Sequence, residues 1–290
     1  MDFSYQLYSA RNGGPLEETL QTLKELGYTQ VEGWGGQFED PDGLAATLKA
    51  SGLSMPTAHM GFTQLEDTDK AADIAKLIGI ETLFCPAPPS SDFREGKGDW
   101  ADLGRRLGKV SEALTAKGIG FGYHNHSWEF AKTADGRFPI DILMETAPGL
   151  EWEMDLAWLV KGGQEPLVWM DKYGSRMTAL HVKDLAPAGE KLDEDGWADV
   201  GTGTLDWKSL IAAAKAKTAV KYFVAEHDKP SDPIRFARQS IAASPVGSPS
   251  TCPRAAIRRA SRSRYLASDA GVVGSSSASP SLWAKRVAPS

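Results

Sequence analysis

The sequence predicts an α/β chain, a closed (β/α)8 TIM barrel followed by a low-complexity tail. Three observations predict it. Short apolar runs alternate with amphipathic helical segments eight times between Phe3 and Ala243, the chain order of a parallel sheet whose units close on themselves. Most of these runs end abruptly in polar residues of the kinds that ligate metals or carry protons, as strand carboxyl ends do at the mouth of such a barrel. From Ser244 onward the composition turns to Ser, Pro, Ala and Arg without a sustained period, which predicts a disordered basic tail over 244–290 and a barrel domain over 1–243. The competing architecture is an open doubly wound sheet, whose dinucleotide-binding form lacks the expected GxGxxG after the first strand.

Taken in order, Phe3 to Ser9 reads as the first strand, and Leu16, Leu20, Leu23 and Leu26 mark a helix stopped by Gly27. A short strand ends at Val31-Glu32-Gly33-Trp34. Pro41 and Asp42 open a second helix that Gly52 ends, and Leu53 to His59 is the next strand. A third helix spans Thr68 to Leu77, and Glu81 to Cys85 is a strand running into a Pro-rich loop. The long helix from Trp100 to Lys117 leads into Gly118 to His124. Asp141 to Thr146 is helical, Leu150 to Asp155 a strand, Glu165 to Tyr173 a helix and Met177 to Lys183 a strand. A polar loop from Ala186 to Thr204 is longer than most connections, as active-site loops often are. Trp207 to Lys215 is helical, Tyr222 to Asp228 holds the last strand, and Asp232-Pro233 opens the final helix.

Composition bounds the function. A hydrophobic share of 41% over 290 residues is ample for one large core. No run approaches the length of a membrane span and the first residues resemble no signal peptide, so a cytoplasmic protein without a membrane partner is expected. Two cysteines, Cys85 and Cys252, support no disulfide framework. The net charge of −6 hides an asymmetry: seven Lys or Arg against Asp269 lie beyond Ala243, leaving −12 on the body. A body that acidic repels a phosphodiester backbone, which argues against nucleic acid as a partner. The tail reads as an appendage without a role in the barrel, and its sudden change of composition also fits out-of-frame translation.

The most informative stretch is Gly118-Ile119-Gly120-Phe121-Gly122-Tyr123-His124-Asn125-His126-Ser127-Trp128-Glu129-Phe130. A buried-strand pattern turns polar with two histidines two residues apart, which share one face if the strand continues and one exit loop if it has ended. The same switch recurs at Glu32, His59, Asp155, His181 with Lys183, and Glu226 with His227, so that all five histidines lie at strand exits. Imidazoles with carboxylates suit a divalent cation such as Mn, Co, Zn or Mg. Lys183, two residues after His181, is placed to touch a substrate oxygen. Glu32 and His59 are candidate substrate contacts, and Trp34, Trp128 and Trp158 candidate walls of a sugar pocket. Gly201-Thr202-Gly203 resembles a phosphate-cradling turn only loosely; a plain turn is the better reading.

Tyr123-His124-Asn125-His126-Ser127-Trp128-Glu129-Phe130, Met154-Asp155-Leu156-Ala157-Trp158, Leu180-His181-Val182-Lys183-Asp184 and Val224-Ala225-Glu226-His227-Asp228 together resemble the sugar phosphate isomerase/epimerase family of xylose isomerase-like TIM barrels. That resemblance implies metal ligands Asp155, His181 and Glu226. The family's fifth-strand glutamate is matched by His124, which becomes the expected fourth ligand, with His126 and then Glu129 as substitutes. From their places at the strand exits, His126, Lys183 and Glu226 are the expected catalytic groups, and Glu32, His59 and Trp158 the expected substrate contacts. The implied activity is isomerisation or epimerisation of a small sugar, keto-sugar or sugar phosphate through a metal-stabilised enediolate. Expulsion of a β-substituent, as in inosose dehydratases of the same fold, is the alternative, and a non-catalytic sugar-binding barrel the next. A homo-oligomer is left open.

Overall fold

A computed structural model describes residues 2–244 of the chain. Eight strands close into an all-parallel barrel in which each pairs with its neighbours in sequence and the last pairs with the first. They are Phe3–Gln6, Gln30–Gly33, Ser54–His59, Thr82–Cys85, Gly120–His124, Glu151–Asp155, Met177–Val182 and Tyr222–Ala225, here the first to eighth barrel strands. The expected (β/α)8 barrel is therefore what the chain forms. The expected tail lies outside the described residues except for Ser244, which is buried.

The helices form because their ends are specified as well as their faces. Asp40, Asp67, Asp99, Asp206 and Asp232 each accept a backbone N–H of the first turn that would otherwise lack a partner. Gly27, Gly52 and Gly79 end three helices in the left-handed conformation that residues with a Cβ disfavour. Between these ends Leu20 and Leu23, or Leu103, Leu107, Val110 and Leu114, recur at helical spacing and are buried against the barrel.

Three details differ from the sequence reading. The first strand stops at Gln6 rather than Ser9, because the Gln6 side chain accepts the N–H of Tyr8 at 3.0 Å and turns Leu7–Ala10 into a single 3-10 turn. An extra turn, Phe62–Leu65, precedes the third expected helix. The loop after the seventh strand is not structureless. Asp184–Leu185 and Trp197–Ala198 pair as a small antiparallel ribbon, and Arg235 ties the loop to the last helix through Asp199 and Glu194, at 2.8 Å each.

Register sets the layers of the barrel interior. Gln6 lies beside Glu32, His124 beside Glu153 and Asp155 beside His181. Because side chains alternate faces, Asp155 and His181 form an upper layer at the mouth, with Glu153 one layer below.

Candidate metal centre and active site

The upper layer is built by strand exits. Asp155 ends the sixth strand and caps the helical turn Leu156–Lys161, its Oδ1 accepting from Trp158 N at 2.8 Å. Its Oδ2 is thereby aimed into the barrel, 4.0 Å from His181 Nδ1 and 3.4 Å from Lys183 Nζ. Glu226, one residue past the eighth strand, brings Oε2 to 3.0 Å from His181 Nδ1. His124, the last residue of the fifth strand, completes the group: donor atoms of His124, Asp155, His181 and Glu226 all lie within 4.8 Å of one another, and all four residues are buried. Two imidazoles and two carboxylates converging in this way are a donor set that fits a divalent cation of the Mn, Co or Zn type. The three positions implied by the resemblance and the expected replacement at the fifth strand thus fall together.

His126 has a different place. The strand has ended at His124, and the His126 ring stacks on Trp128 with centroids 4.1 Å apart and 12° between planes. Trp158 lies 5.3 Å from the same ring, whereas Trp34, the third tryptophan expected at the wall, packs edge-on against Tyr8. Its Nδ1 is buried without a hydrogen-bond partner among the described residues. Burial, and then the nearby His124 and Lys183, hold its pKa well below the usual histidine value, so the ring is neutral at pH 7. Glu129, the third candidate for the fifth-strand ligand, is turned to the helix side: Tyr123 Oη donates to it at 2.7 Å and His126 N at 2.8 Å.

Lys183 is fully buried rather than solvated. Its ammonium reaches Asp228 at 2.6 Å, Glu226 at 3.0 Å and Asp155 at 3.4 Å, beneath the Trp197 ring at 4.5 Å. Burial disfavours the charge, but Asp228, Glu226 and Asp155 outweigh it and keep the lysine protonated. Burial likewise raises the Glu226 carboxyl, and Lys183 and His181 more than reverse the effect, holding it ionised. Asp155 is pushed up to about 6 by burial, against the pull of Lys183 and His181.

Glu32 and His59, expected as substrate contacts, lie in the layer beneath. Glu32 Oε1 is 2.7 Å from His181 Nε2, and His59 Nε2 is 2.5 Å from Glu153 Oε2. His227 is the histidine that stays apart. It faces away from the barrel axis against Phe236, and burial first holds its pKa down to about 4. Gly201-Thr202-Gly203 is a plain turn: Asp184 Oδ2 accepts from Gly201 N at 3.0 Å and Gly203 N at 3.1 Å, filling the place an anion would take.

Two carboxylates of this cluster lie outside the residues expected from the sequence. Glu153 accepts contacts from three histidines, and Asp228 holds Lys183. Glu153 stands two residues before Asp155 on the sixth strand, where alternation points to it, whereas Asp228 lies in a bend past the end of the eighth strand, where alternation does not reach.

Comparison with known proteins supports the same family. The family model described as the xylose isomerase-like TIM barrel matches residues 20–244. An inosose dehydratase of Clostridium tetani is 34% identical over 89 residues, 30% of this chain and 29% of the relative. Another, from Geobacillus kaustophilus, is 26% identical over 194 residues, 58% of this chain and 62% of the relative. The chain thus spans less than two thirds of either curated relative. Among solved structures, a sugar phosphate isomerase/epimerase from Parabacteroides distasonis superposes with a TM-score of 0.68 at 22% identity, over 84% of this chain and 94% of that one. The IolI protein with a bound zinc atom superposes with a TM-score of 0.64 at 13% identity, over 84% and 96%. Among the described residues no helix is long and apolar enough to cross a membrane. With its closed eight-stranded barrel and a family match covering 225 residues, from 20 to 244, the chain belongs to the xylose isomerase-like TIM barrel family.

Proposed function

We propose that the protein is a divalent-metal-dependent isomerase or epimerase of a small sugar or keto-sugar, whose central step removes a proton from the carbon beside a carbonyl. The observation that carries the reading is the convergence of His124, Asp155, His181 and Glu226 on one buried point beside two further proton-handling groups, His126 and Lys183. The bound cation would polarise the substrate carbonyl and stabilise the negative charge that develops on its oxygen. The protein's own groups do the rest. Glu226, ionised, and His126, neutral, are proton acceptors on different strand exits, so either can take the proton and, protonated by it, return it to carbon. Lys183, always charged and fixed by Asp228, donates a hydrogen bond to a substrate oxygen and compensates charge there. Trp128 and Trp158 offer flat apolar faces to the C–H side of a sugar and keep water from the reacting carbon.

Dehydration of a keto-sugar or inosose is the second reading, favoured because both curated relatives are inosose dehydratases. It uses the same first step, after which the proton goes to a departing hydroxide instead of to carbon. A phosphate on the substrate is not part of the proposal, because the one turn that resembled a phosphate cradle is already filled by Asp184. The experiment is incubation of the metal-loaded protein with keto-sugars and inososes in deuterated water. Isomerisation or epimerisation gives carbon-bound deuterium in a product of unchanged formula. Dehydration gives a product lighter by one water. No exchange with any of these substrates in the presence of Mn, Co, Zn or Mg counts against the proposal.

A further inference from the structure

This inference rests on the cation site proposed above and concerns the layer beneath it. Gln6, Glu32, His59 and Glu153 are all buried there. His59 and Glu153 form, with His124 and His181, a second gathering of nitrogen and oxygen donors as close as the one at the mouth. The two groups share His124 and His181, and a neutral imidazole has one lone pair to give. Each histidine therefore serves one group or the other.

The distances decide which. Glu153 Oε2 lies 2.5 Å from His59 Nε2 and 3.1 Å from His124 Nδ1. Glu32 Oε1 lies 2.7 Å from His181 Nε2 and accepts from Gln6 Nε2 at 2.8 Å. With a proton on each of these nitrogens, every one of the contacts is a donor meeting a carboxylate oxygen. The nitrogens then left with lone pairs are Nε2 of His124 and Nδ1 of His181. His181 Nδ1 is the atom turned toward Glu226 at 3.0 Å and Asp155 at 4.0 Å.

We infer that Glu32 and Glu153 are positioning residues that fix the tautomers of His181 and His124 and so dedicate both imidazoles to a single cation at the mouth. The lower layer is a hydrogen-bonded floor, the carboxylate–histidine–metal arrangement that tunes ligand orientation and basicity. Glu32 Oε2 and Glu153 Oε1 are buried without partners among the described residues, so the rival occupant of this layer is a second cation held by His59, Glu153 and Glu32.

The test titrates the metal-free full chain with Co²⁺ and with Zn²⁺, following heat and the Co²⁺ absorption bands, for the wild type, Glu153→Gln and Glu32→Gln. Expected are one equivalent of ion in all three and an affinity about 10- to 100-fold weaker in each variant, with unchanged circular dichroism. Long-range proton–nitrogen spectra of the Zn²⁺-loaded wild type are expected to show Nε2–H on His181 and Nδ1–H on His124. That readout needs no variant, so a glutamine variant that fails to fold leaves the question decided. Unchanged affinity in both variants, the opposite tautomers, or a second equivalent of ion that disappears in Glu153→Gln overturns the inference while leaving the mouth site intact. A wild type that binds neither ion removes the mouth site and this inference together.

Discussion

Beside the fifth strand the barrel mouth is walled by aromatic rings, whereas beside the seventh and eighth strands it is built of ion pairs. His126 is stacked on Trp128, with Trp158 tilted beside it, and burial keeps it uncharged. Across the mouth, Lys183 is equally buried but meets three carboxylates. The difference shows that burial alone does not set charge: His126 is neutral where few opposite charges face it, and Lys183 is charged where three carboxylates do. Under the proposed function, the aromatic side offers His126 as an uncharged proton acceptor and the ionic side offers Lys183 as preorganised charge for a developing oxyanion.

Removing the centre of the ionic side is the harshest way to break this contrast. Lys183→Met fills the space but leaves Asp155, Glu226 and Asp228 without their shared ammonium, which is expected to cost about 3–5 kcal/mol in urea unfolding of the metal-free protein. Added Co²⁺ is expected to recover part of that loss. Equal stability of variant and wild type would show that the carboxylates do not depend on the lysine.

On the aromatic side, His126→Phe keeps the stack and removes the proton acceptor. Turnover is expected to fall about 10²- to 10⁴-fold with metal affinity unchanged, read from kcat beside a Co²⁺ titration. A matching loss of metal would move His126 into the ligand set.

A smaller effect sharpens the boundary between the two sides. Burial first pushes the Glu129 carboxyl up to about 7, against hydrogen bonds from Tyr123 and the His126 backbone. A carboxyl whose pKa is raised on folding contributes stability below its unfolded value, near 4.5, and loses that contribution as pH rises through about 7. Glu129→Gln is therefore expected to gain on the wild type as pH is raised from 4.5 to 7 and to run parallel above it. Parallel curves throughout would place the ionised carboxylate in the folded state.

The smallest effect belongs to the loop that covers the ionic side. Arg235→Ala removes the ties to Glu194 and Asp199, and is expected to hasten protease cleavage within 186–204 and raise KM with little change in kcat. Unaltered cleavage would mean that the loop's other ties, Trp197 packed at 4.7 Å on Trp158 and Ser231 N donating to Glu194 at 2.7 Å among them, are enough to hold it.

Much of this contrast was legible in the sequence. The eight alternations gave the barrel, and the polar strand exits gave Asp155, His181, Glu226 and His124 as neighbours, because parallel strands present their ends at one rim. What escaped was depth. Reading stopped at the exits, although Glu153 and Asp155 stand two residues apart on the sixth strand and share a face. His227, past the end of the eighth strand, turns outward to Phe236. The burial of Lys183 was not legible at all, since it depends on Trp197, a residue in a long loop whose folding over the mouth no local pattern announces. The switch from strand to loop between His124 and His126 was left open by periodicity and is settled by the ring stack on Trp128.

The central claim is that His124, Asp155, His181 and Glu226 grip one divalent cation. Metal analysis of the purified full chain, after loading with Co²⁺ and removal of excess ion, tests it most directly. The account predicts one ion per wild-type chain and near none in His181→Ala or Glu226→Ala; the same one ion retained in both variants would contradict it.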